Sequence, residues 1–508
     1  MPEASANPKV VAPAARGAWI LAATILGSSM AFIDSTVVNV ALPALQTSLH
    51  ATVSDVQWVV ESYALMLAAL LLVGGSLGDR YGRRKVYLCG TVLFAAASAW
   101  CGLSNSVDML IFARAVQGLG AAMLVPGSLA IISASFPEET RGKAIGTWSG
   151  FTAITAAIGP VIGGWLVEHA SWRWVFFLNL PLALAVVALS LMRVPESRND
   201  AASRHLDWPG ALLATVGLGA VTYALIEFPN RTAHAPHLIL LVSLVGAAAL
   251  AGFLVVEERS HAPMVSLALF RSRNFSGANL LTLFLYAALG GMLFFLPMNL
   301  IEVQHDSATE AGAALLPLVA LLFALSRWSG GLVARYGARL PLTIGPLIFA
   351  AGVVLFARQG VGGSYWTTVF PATVVMGFGM TMCVAPLTTT VMNAVDQADA
   401  GLASGVNNAV SRIGGLLAVA VFGVILLAGF NRGLDRRLDR LALTPQGRQQ
   451  ADAQRPLLAA ASDPDPRVQR AVDESFVAGY RWVIWVSVAL AVVSSGCAWC
   501  WIDPAPQA

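Results

Sequence analysis

Long apolar stretches alternate with short polar connections along almost the whole chain. A helix crosses the roughly 30 Å core of a bilayer with about 20 apolar residues. Fourteen stretches fit, the eleventh being short: Trp19–Pro43, Val56–Leu77, Val86–Leu103, Met109–Ile132, Ala144–Val167, Val175–Met192, Trp208–Phe228, Leu238–Val256, Ala278–Ile301, Ala311–Val333, Pro341–Ala357, Trp366–Met392, Ala403–Phe430 and Trp482–Trp501. The pattern predicts an all-α integral membrane protein with fourteen transmembrane helices, because barrel strands are half as long and alternate in polarity.

The arginines of the short connections are distributed unevenly between the two sides of the predicted membrane. With the N-terminus inside, the cytoplasmic connections carry most of them: Arg80, Arg83, Arg84, Lys85, Arg141, Lys143, Arg198, Arg204, Arg259, Arg271, Arg273, Arg335 and Arg339. The positive-inside rule and the even number of spans then predict that both termini are cytoplasmic. The long connection 431–480 lies outside, and its leucines and valines recur at helical spacing, which predicts short amphipathic helices on the outer surface.

Three motifs of the first half recur in the second half in the same order. Gly75–Arg84 returns as Gly330–Arg339, Gly118-Leu-Gly120 as Gly377-Phe-Gly379, and Gly142-x-Ala-x-Gly146 as Gly401-x-Ala-x-Gly405. The offsets are 255, 259 and 259 residues, which indicates a duplication. We therefore predict two six-helix bundles, in residues 1–192 and 276–508, with two inserted helices in residues 193–275.

Composition agrees with a membrane protein and excludes several functional classes. Hydrophobic residues make up 57% of the 508 residues and charged residues only 12%, whereas a soluble domain has about 25% charged residues. The net charge of +3 provides no basic surface for a nucleic acid. No phosphate loop, metal-ligand cluster or nucleophile triad is visible, so we expect neither an enzyme nor a metal site nor a cofactor.

Five short motifs follow one another in the first half of the chain. They are Asp34–Pro43 in span one, Gly75–Arg84 after span two, Arg114-x-x-Gln-Gly-x-Gly120 in span four, Gly159-Pro-x-x-Gly-Gly164 in span five, and Trp172–Pro181 before span six. Together they resemble the fourteen-span drug:proton antiporters of the major facilitator superfamily, although Thr155 stands where a glycine is usual. The resemblance implies two six-helix halves that rock about a central substrate site.

The motif Gly75–Arg84, termed the loop motif because it follows span two, is expected to act as a conformational latch. Its candidate residues are Gly75, Gly78, Asp79, Arg80, Gly82, Arg83 and Arg84. Glycines permit a tight turn and close backbone approach, and the arginines can clamp carboxylates, for which Glu138 and Glu139 are candidates. A topology signal alone would also explain the arginines. In the antiporter motif, Gly159, Pro160, Gly163 and Gly164 permit close helix packing and a bend.

Charged residues inside the predicted spans are the candidate proton-coupling and substrate residues. A charge there costs several kcal/mol unless it is paired or hydrated. Asp34, Glu61 and Arg114 all fall in the outer half at comparable depth, which predicts a proton and cation site. A structural ion pair for Asp34 and Arg114, and simple hydration for Glu61, remain alternatives. We expect Arg327 and Arg412 to snorkel or to hydrogen-bond between helices.

The sequence therefore predicts a proton-driven antiporter in the cell (inner) membrane that exports small amphipathic or cationic compounds. A dedicated exporter of one metabolite or self-made antibiotic would use the same machinery. A non-transporting membrane sensor is the alternative from another class, and the carboxyls of Asp34 and Glu61 count against it. We expect the partners to be substrate, protons and lipid, and the working unit to be a monomer.

Overall fold

A computed structural model describes residues 14–198, 207–228, 236–260, 263–395, 400–441, 443–461 and 463–504. Within these ranges, the backbone is helical apart from turns and one isolated bridge between Gly360 and Gly362. Some side chains of the fifth helix lie outside the described residues, and so does that of Arg327. The candidate latch partners Glu138 and Glu139 belong to this group.

The first half of the chain contains seven helices and the two inserted ones follow. They are α1 Ala14–Leu49, α2 Val53–Tyr81, α3 Arg83–Gly102, α4 Val107–Ser135, α5 Glu138–His169, α6 Trp174–Phe177, α7 Asn179–Arg193, α8 Trp208–Glu227 and α9 Pro236–Arg259. Several begin at the polar residues that the chain supplies for capping. Thr52 and Asp55 form a capping box at the start of α2, and Ser106 caps α4.

The second half is similar but more broken. Its helices are α10 Arg273–Met298, α11 Ala308–Ala313, α12 Leu316–Ala324, α13 Ser326–Tyr336, α14 Arg339–Phe356, α15 Val369–Asn393, α16 Ala400–Leu438, α17 Pro445–Ala453 and α18 Pro466–Trp501. Three short helical turns accompany them, at Leu267–Arg271, Asn299–Val303 and Arg455–Ala460.

Twelve helices of the described residues are long and apolar enough to cross a membrane. The predicted fifth span lies in α5, whose side chains are described only in part. The predicted tenth span is divided into α11, α12 and α13, of which Ala308–Ala324 is a shorter apolar segment. A multi-span helical membrane protein is therefore established, whereas the count of fourteen stays a prediction.

Equivalent glycines make equivalent contacts in the two halves. A Cβ added to Gly120 would lie 2.6 Å from the nitrogen of Phe94, and one added to Gly379 would lie 2.3 Å from the nitrogen of Phe349. Likewise, Gly118 packs against the backbone of Tyr63, as Gly377 packs against that of Leu318. The partners are offset by 255 residues and the glycines by 259, so the repeat in sequence is also a repeat in packing. The domain boundaries themselves stay a prediction.

The inserted helices pack against each other, and α8 also lies against α2 and α16, one helix from each half. Ser54 on α2 donates a hydrogen bond to Glu227 on α8 at 2.9 Å. One turn along, the rings of Trp58 and Tyr223 are 6.2 Å apart. The helix α8 therefore covers one of the two seams between the halves.

The end of the bundle that the charge pattern predicts to be external, termed the outer end, carries the connection between α16 and α18. The predicted separate amphipathic helices are largely wrong, because α16 continues to Leu438 and α18 starts at Pro466. Only α17 and the turn Arg455–Ala460 stand apart. Arg455 pairs there with Asp435 and Asp452, and the amide of Gln46 on α1 donates to the carbonyl of Leu457 at 3.2 Å.

Candidate functional site

The centre of the first half is an ion pair between Asp34 on α1 and Arg114 on α4. The Nη1 atom of Arg114 donates to Oδ2 of Asp34. The Asp34 side chain is 0% exposed and that of Arg114 is 1% exposed, so neither charge is hydrated from bulk water. Asp34, Glu61 and Arg114 were predicted to lie at a comparable depth, and the structure brings the first and the last of them into contact.

Both charges have further hydrogen-bond partners. Oδ1 of Asp34 accepts from the amides of Gln117 at 2.8 Å and Asn179 at 3.1 Å. These two amides also donate to the Ser98 hydroxyl, at 3.2 and 2.9 Å. The carboxylate therefore sits at the meeting point of α1, α3, α4 and α7. Three side chains of α4 and α7 thus donate hydrogen bonds to this one buried carboxylate.

The guanidinium of Arg114 is held on several sides. Its Nε atom donates to the carbonyl of Val59 on α2 at 3.1 Å, and Nη1 also donates to Oε1 of Gln117 at 2.8 Å. Its central carbon lies 4.3 Å from the centre of the Tyr63 ring, which favours a cation–π interaction. The planar fork of arginine makes this set of contacts possible.

Sequence reasoning missed Ser98, Tyr63, Gln117 and Asn179 as members of the site. Two of them carried a signal. Gln117 lies one helical turn from Arg114, on the same face of the helix. Asn179 is an amide in an otherwise apolar stretch, where a polar side chain needs a partner.

Glu61 makes no hydrogen bond with this network, and a common site of all three charges stays a prediction. Glu61 is 1% exposed, and among the described residues no donor reaches either of its carboxyl oxygens. Gln57, one turn earlier on α2, donates to the carbonyl of Val419 on α16 at 3.0 Å. Glu61 therefore lies toward the seam between the halves, and Asp34 lies inside the first half.

The loop motif forms a turn at the inner ends of α2 and α3. Gly82 has a φ of 111°, a conformation that favours glycine. Asp79 accepts hydrogen bonds from Arg83. The backbone amides of Arg84 and Lys85 donate to Glu196, whose carboxylate lies 3.9 Å from Nε of Arg84. Glu196, which follows α7, is thus an observed partner of the motif that sequence reasoning missed.

Not every glycine of the loop motif is required by packing. A Cβ added to Gly75 or Gly78 would make only ordinary contacts, at 3.6 and 3.8 Å. Gly74, which directly precedes the motif, is packed tightly, since its added Cβ would lie 1.9 Å from the carbonyl oxygen of Ala122. The ordinary contacts of Gly78 contradict its expected role in close backbone approach. The guanidinium of Arg80 lies over the Tyr81 ring, 4.9 Å from the ring centre.

We expect Asp79→Asn to slow transport without lowering protein abundance. The Asp79–Arg83 pair is partly exposed, with side-chain exposures of 36% and 18%, so it contributes less than about 1 kcal/mol to stability. Turnover per molecule in vesicles is the measurement, and Asp108→Asn, an exposed acid in the first turn of α4, is the control. Normal turnover at equal abundance would leave the motif with a topological role only.

The antiporter motif packs α5 against both halves near the outer end. Cβ atoms added to Gly159 and Gly163 would lie 2.4 Å from Thr36 and 2.3 Å from Val37 on α1. Gly164 instead faces α11 of the other half, where its added Cβ would lie 2.2 Å from the carbonyl oxygen of Ala308. Thr155, at the usual glycine position, donates to Ser29 on α1 at 3.1 Å.

The carbonyl of Pro160 meets a glycine that no motif indicated. A Cβ on Gly312 of α11 would lie 2.1 Å from the Pro160 oxygen. The second seam is built in the equivalent way, because Gln57 and Val419 are related to Gly312 and Pro160 by the 255- and 259-residue offsets. Two matching outer contacts therefore close the two seams between the halves.

We expect Gly312→Ala to prevent closure of the seam between α5 and α11. Its new methyl group cannot occupy the 2.1 Å gap to a backbone oxygen. Transport should fall by about tenfold or more, which corresponds to about 1.4 kcal/mol. A cysteine at Val161 should also react faster with an impermeant maleimide. Gly150→Ala on α5 is the control, since nothing lies within 4 Å of its added Cβ; equal effects of the two changes would contradict the closure role.

No group of three or more histidine, cysteine or acidic side chains gathers into a metal site within the described ranges. The described site itself offers charged and hydrogen-bonding side chains. A buried carboxyl can exchange a guanidinium for a proton, and paired seams can open and close.

Comparisons with known proteins agree with this architecture. The profile of the Major Facilitator Superfamily matches residues 24–419. Multidrug resistance protein Stp of Mycobacterium tuberculosis is 37% identical over 428 residues, which cover 84% of this chain and 79% of that protein. The tetracenomycin C resistance and export protein of Streptomyces glaucescens is 36% identical over 414 residues, covering 80% and 75%.

A third relative, the methylenomycin A resistance protein of Bacillus subtilis, is 34% identical over 419 residues and covers 81% of this chain and 88% of that protein. The crystal structure of a bacterial homologue of the human lysosomal transporter Spinster, inward-facing and occupied, superposes with a TM-score of 0.65 at 18% identity, covering 96% and 97% of the two chains. The chain therefore belongs to the major facilitator superfamily.

Proposed function

We propose that this protein exports small amphipathic compounds across the cell membrane in exchange for protons, working as a monomer by alternating access. Its relatives are named for multidrug resistance and for antibiotic resistance or export. A transporter of this kind needs a substrate path between its halves, contacts that open and close, and a group that takes up and releases protons.

The observation that carries the proposal is the burial of Asp34. A carboxylate that is fully withdrawn from water requires a compensating positive charge, and Arg114 supplies it. If a proton replaces the guanidinium on Asp34, Arg114 must find other acceptors, and Gln117 and the carbonyl of Val59 are already in contact with it. Proton binding then changes the contacts of α4 with α1 and α2.

Such a change can reach the seams because the same helices form them. Val59 is two residues from Gln57, whose amide holds Val419 across the seam. On the other side, α1 carries both Asp34 and the residues that α5 packs against, Thr36 and Val37. Protonation of Asp34 therefore alters the support of both outer contacts. Glu61, on α2, is a second candidate for proton binding at the seam.

A transport assay tests the proposal directly. Purified protein in proteoliposomes with an acidic interior should accumulate ethidium or fluorescein from the medium and release internal protons. Nigericin, which dissipates the pH gradient, should abolish both. A growth-inhibition panel with and without the gene extends the range of compounds. Dye and compound responses that do not depend on the gradient would contradict proton exchange, and the absence of any transport would favour a membrane sensor.

Topology is tested separately by cysteine labelling. With both termini in the cytoplasm, a cysteine at Gln450 in α17 should react with an impermeant maleimide added to intact cells. A cysteine at Glu258 should react only after permeabilisation, because this topology places the C-terminal end of α9 in the cytoplasm. Both residues are exposed, so access to the reagent is not limited by packing. Labelling of both from outside would contradict fourteen spans with cytoplasmic termini.

A further inference from the structure

Arg412 lies within the apolar helix α16, yet it has no carboxylate partner among the described residues. Its Nε atom donates to the side chain of Asn408, one turn earlier on the same helix, at 3.0 Å. No other hydrogen bond of its guanidinium is formed with the described part of the chain, and the residue is only half-buried. Its terminal nitrogens, Nη1 and Nη2, are therefore available to a ligand.

The face of α16 that carries Arg412 is turned toward the first half. Seven residues earlier on the helix, Gly405 approaches Leu72 of α2, and seven residues later Val419 accepts from Gln57 of α2. Residues seven apart share one face of a helix. Ala409 on the same turn packs into the apolar core of the first half. Arg412 therefore faces the space between the halves and not lipid, and the expected snorkelling of this residue is wrong.

Two asparagines precede Arg412 on α16 and make different contacts. Asn407 donates to Asn279 and Thr282 of α10, at 3.1 and 2.7 Å, and so ties the two helices together. Asn408 accepts from Nε of Arg412, and the two terminal nitrogens form no hydrogen bond with the described residues. A guanidinium with two free terminal nitrogens matches the geometry of a carboxylate or another oxyanion.

The surrounding charges leave this guanidinium uncompensated. Asp34 is already neutralised by Arg114. Glu61 is about one turn closer to the outer end on the facing helix, and no donor contacts its oxygens. The centre of the protein thus presents a positive charge that no described side chain balances.

We propose that Arg412 is a substrate-binding residue and that the compounds carried by this protein bear an acidic group, a carboxylate or phenolate, on an apolar body. The acidic group binds the terminal nitrogens of Arg412 between α16 and α2, and the apolar body lies along the seam. This proposal rests on the proposed export function, and it replaces the expectation of cationic substrates with acidic ones.

The test uses two dyes that share the same flat, cationic aromatic body and differ only in whether they carry an acidic group. Rhodamine 19 carries a free carboxylate, and rhodamine 6G is its ethyl ester. Equilibrium binding to the purified full-length protein in detergent is followed by fluorescence anisotropy. We expect wild type to bind rhodamine 19 at least about tenfold more tightly, because the carboxylate forms charge-assisted hydrogen bonds with Arg412 that the ester cannot form. Preference for the ester, or no preference up to millimolar protein, would overturn the proposal.

Two variants assign any preference to Arg412. Arg412→Gln should lose about tenfold or more in affinity for rhodamine 19 and less than about twofold for rhodamine 6G. Arg412→Lys should be intermediate, because it keeps the charge and loses the fork. Arg358→Gln, at an exposed arginine after α14, is the control and should change neither affinity. Melting temperatures show whether each variant is folded.

A rival role for Arg412 is ion pairing with Glu61 in another conformation. In that case Arg412→Gln would weaken the binding of both dyes equally, and adding Glu61→Gln to that variant would restore their binding. This result would overturn the proposal. The assay needs no gradient, so it is independent of the export function. Dye preference without gradient-driven transport would count against the proposed function alone, and transport without dye preference would count against the acidic substrate class alone.

Discussion

Asp34→Asn is expected to reduce substrate-induced proton release from the purified protein to background. The asparagine cannot ionise, so it cannot exchange a proton for the guanidinium of Arg114. In weakly buffered detergent, wild type should release protons when rhodamine 19 or rhodamine 6G is added, and the variant should not. Proton release that is unchanged in the variant would shift the coupling role to Glu61.

The same substitution is also expected to lower stability, and this effect must be separated from coupling. Asp34 accepts hydrogen bonds from Arg114, Gln117 and Asn179. An asparagine has one acceptor oxygen and places its own amide protons against the remaining donors. It also leaves the buried guanidinium without a counter-charge, which typically costs about 3–5 kcal/mol.

The double variant Asp34→Asn, Arg114→Gln distinguishes the two effects. It removes both charges and leaves neutral amides that can hydrogen-bond to one another, so most of the lost melting temperature should return. If Asp34 couples transport to protons, the double variant remains unable to release protons or to follow a pH gradient. If the pair is only structural, the double variant should recover transport along with stability.

The depth of a side chain in the membrane was predictable from the sequence, whereas the direction in which the side chain faces around its helix axis was not. Depth follows from residue count, because each residue of a helix rises about 1.5 Å. Asp34 and Arg114 were therefore predictable as partners. Glu61 lies at a similar depth, but it is on a different face of α2 from Val59 and Tyr63, which contact Arg114. Sequence alone did not reveal that Gln57, one turn from Glu61, faces α16.

Packing between distant segments was the least predictable feature. The glycines of α5 stood out because they form a motif, but their partner Gly312 does not, and only the approach to the Pro160 carbonyl identifies it. Similarly, the apolar stretch of span ten gave no indication of the breaks after Ala313 and Ala324. Hydropathy reports how apolar a segment is, and it is insensitive to a local change of helix direction.

Arg114→Lys is expected to be the most damaging change that preserves charge. A lysine keeps the ion pair with Asp34 within reach, but it loses the Nε donation to Val59 and the flat contact with the Tyr63 ring. The lost hydrogen bond to the Val59 carbonyl and the lost cation–π contact together should cost about 1–3 kcal/mol of stability. Because Val59 lies two residues from the seam contact of Gln57, coupling should suffer more than folding.

Gradient-driven dye accumulation in proteoliposomes measures coupling, and the melting temperature measures stability. We expect accumulation in Arg114→Lys to fall by about tenfold or more, while the protein remains folded. Arg173→Lys is the matched control, because Arg173 also stacks on a ring, Trp172 at 4.3 Å, and donates to a carbonyl, that of Ser104 at 2.9 Å. Arg173 pairs with no buried acid in the described part of the chain, so its replacement should leave accumulation nearly unchanged. Full accumulation in Arg114→Lys would show that charge alone suffices at this position, and the link from Asp34 through Arg114 to the backbone of α2 would then be wrong.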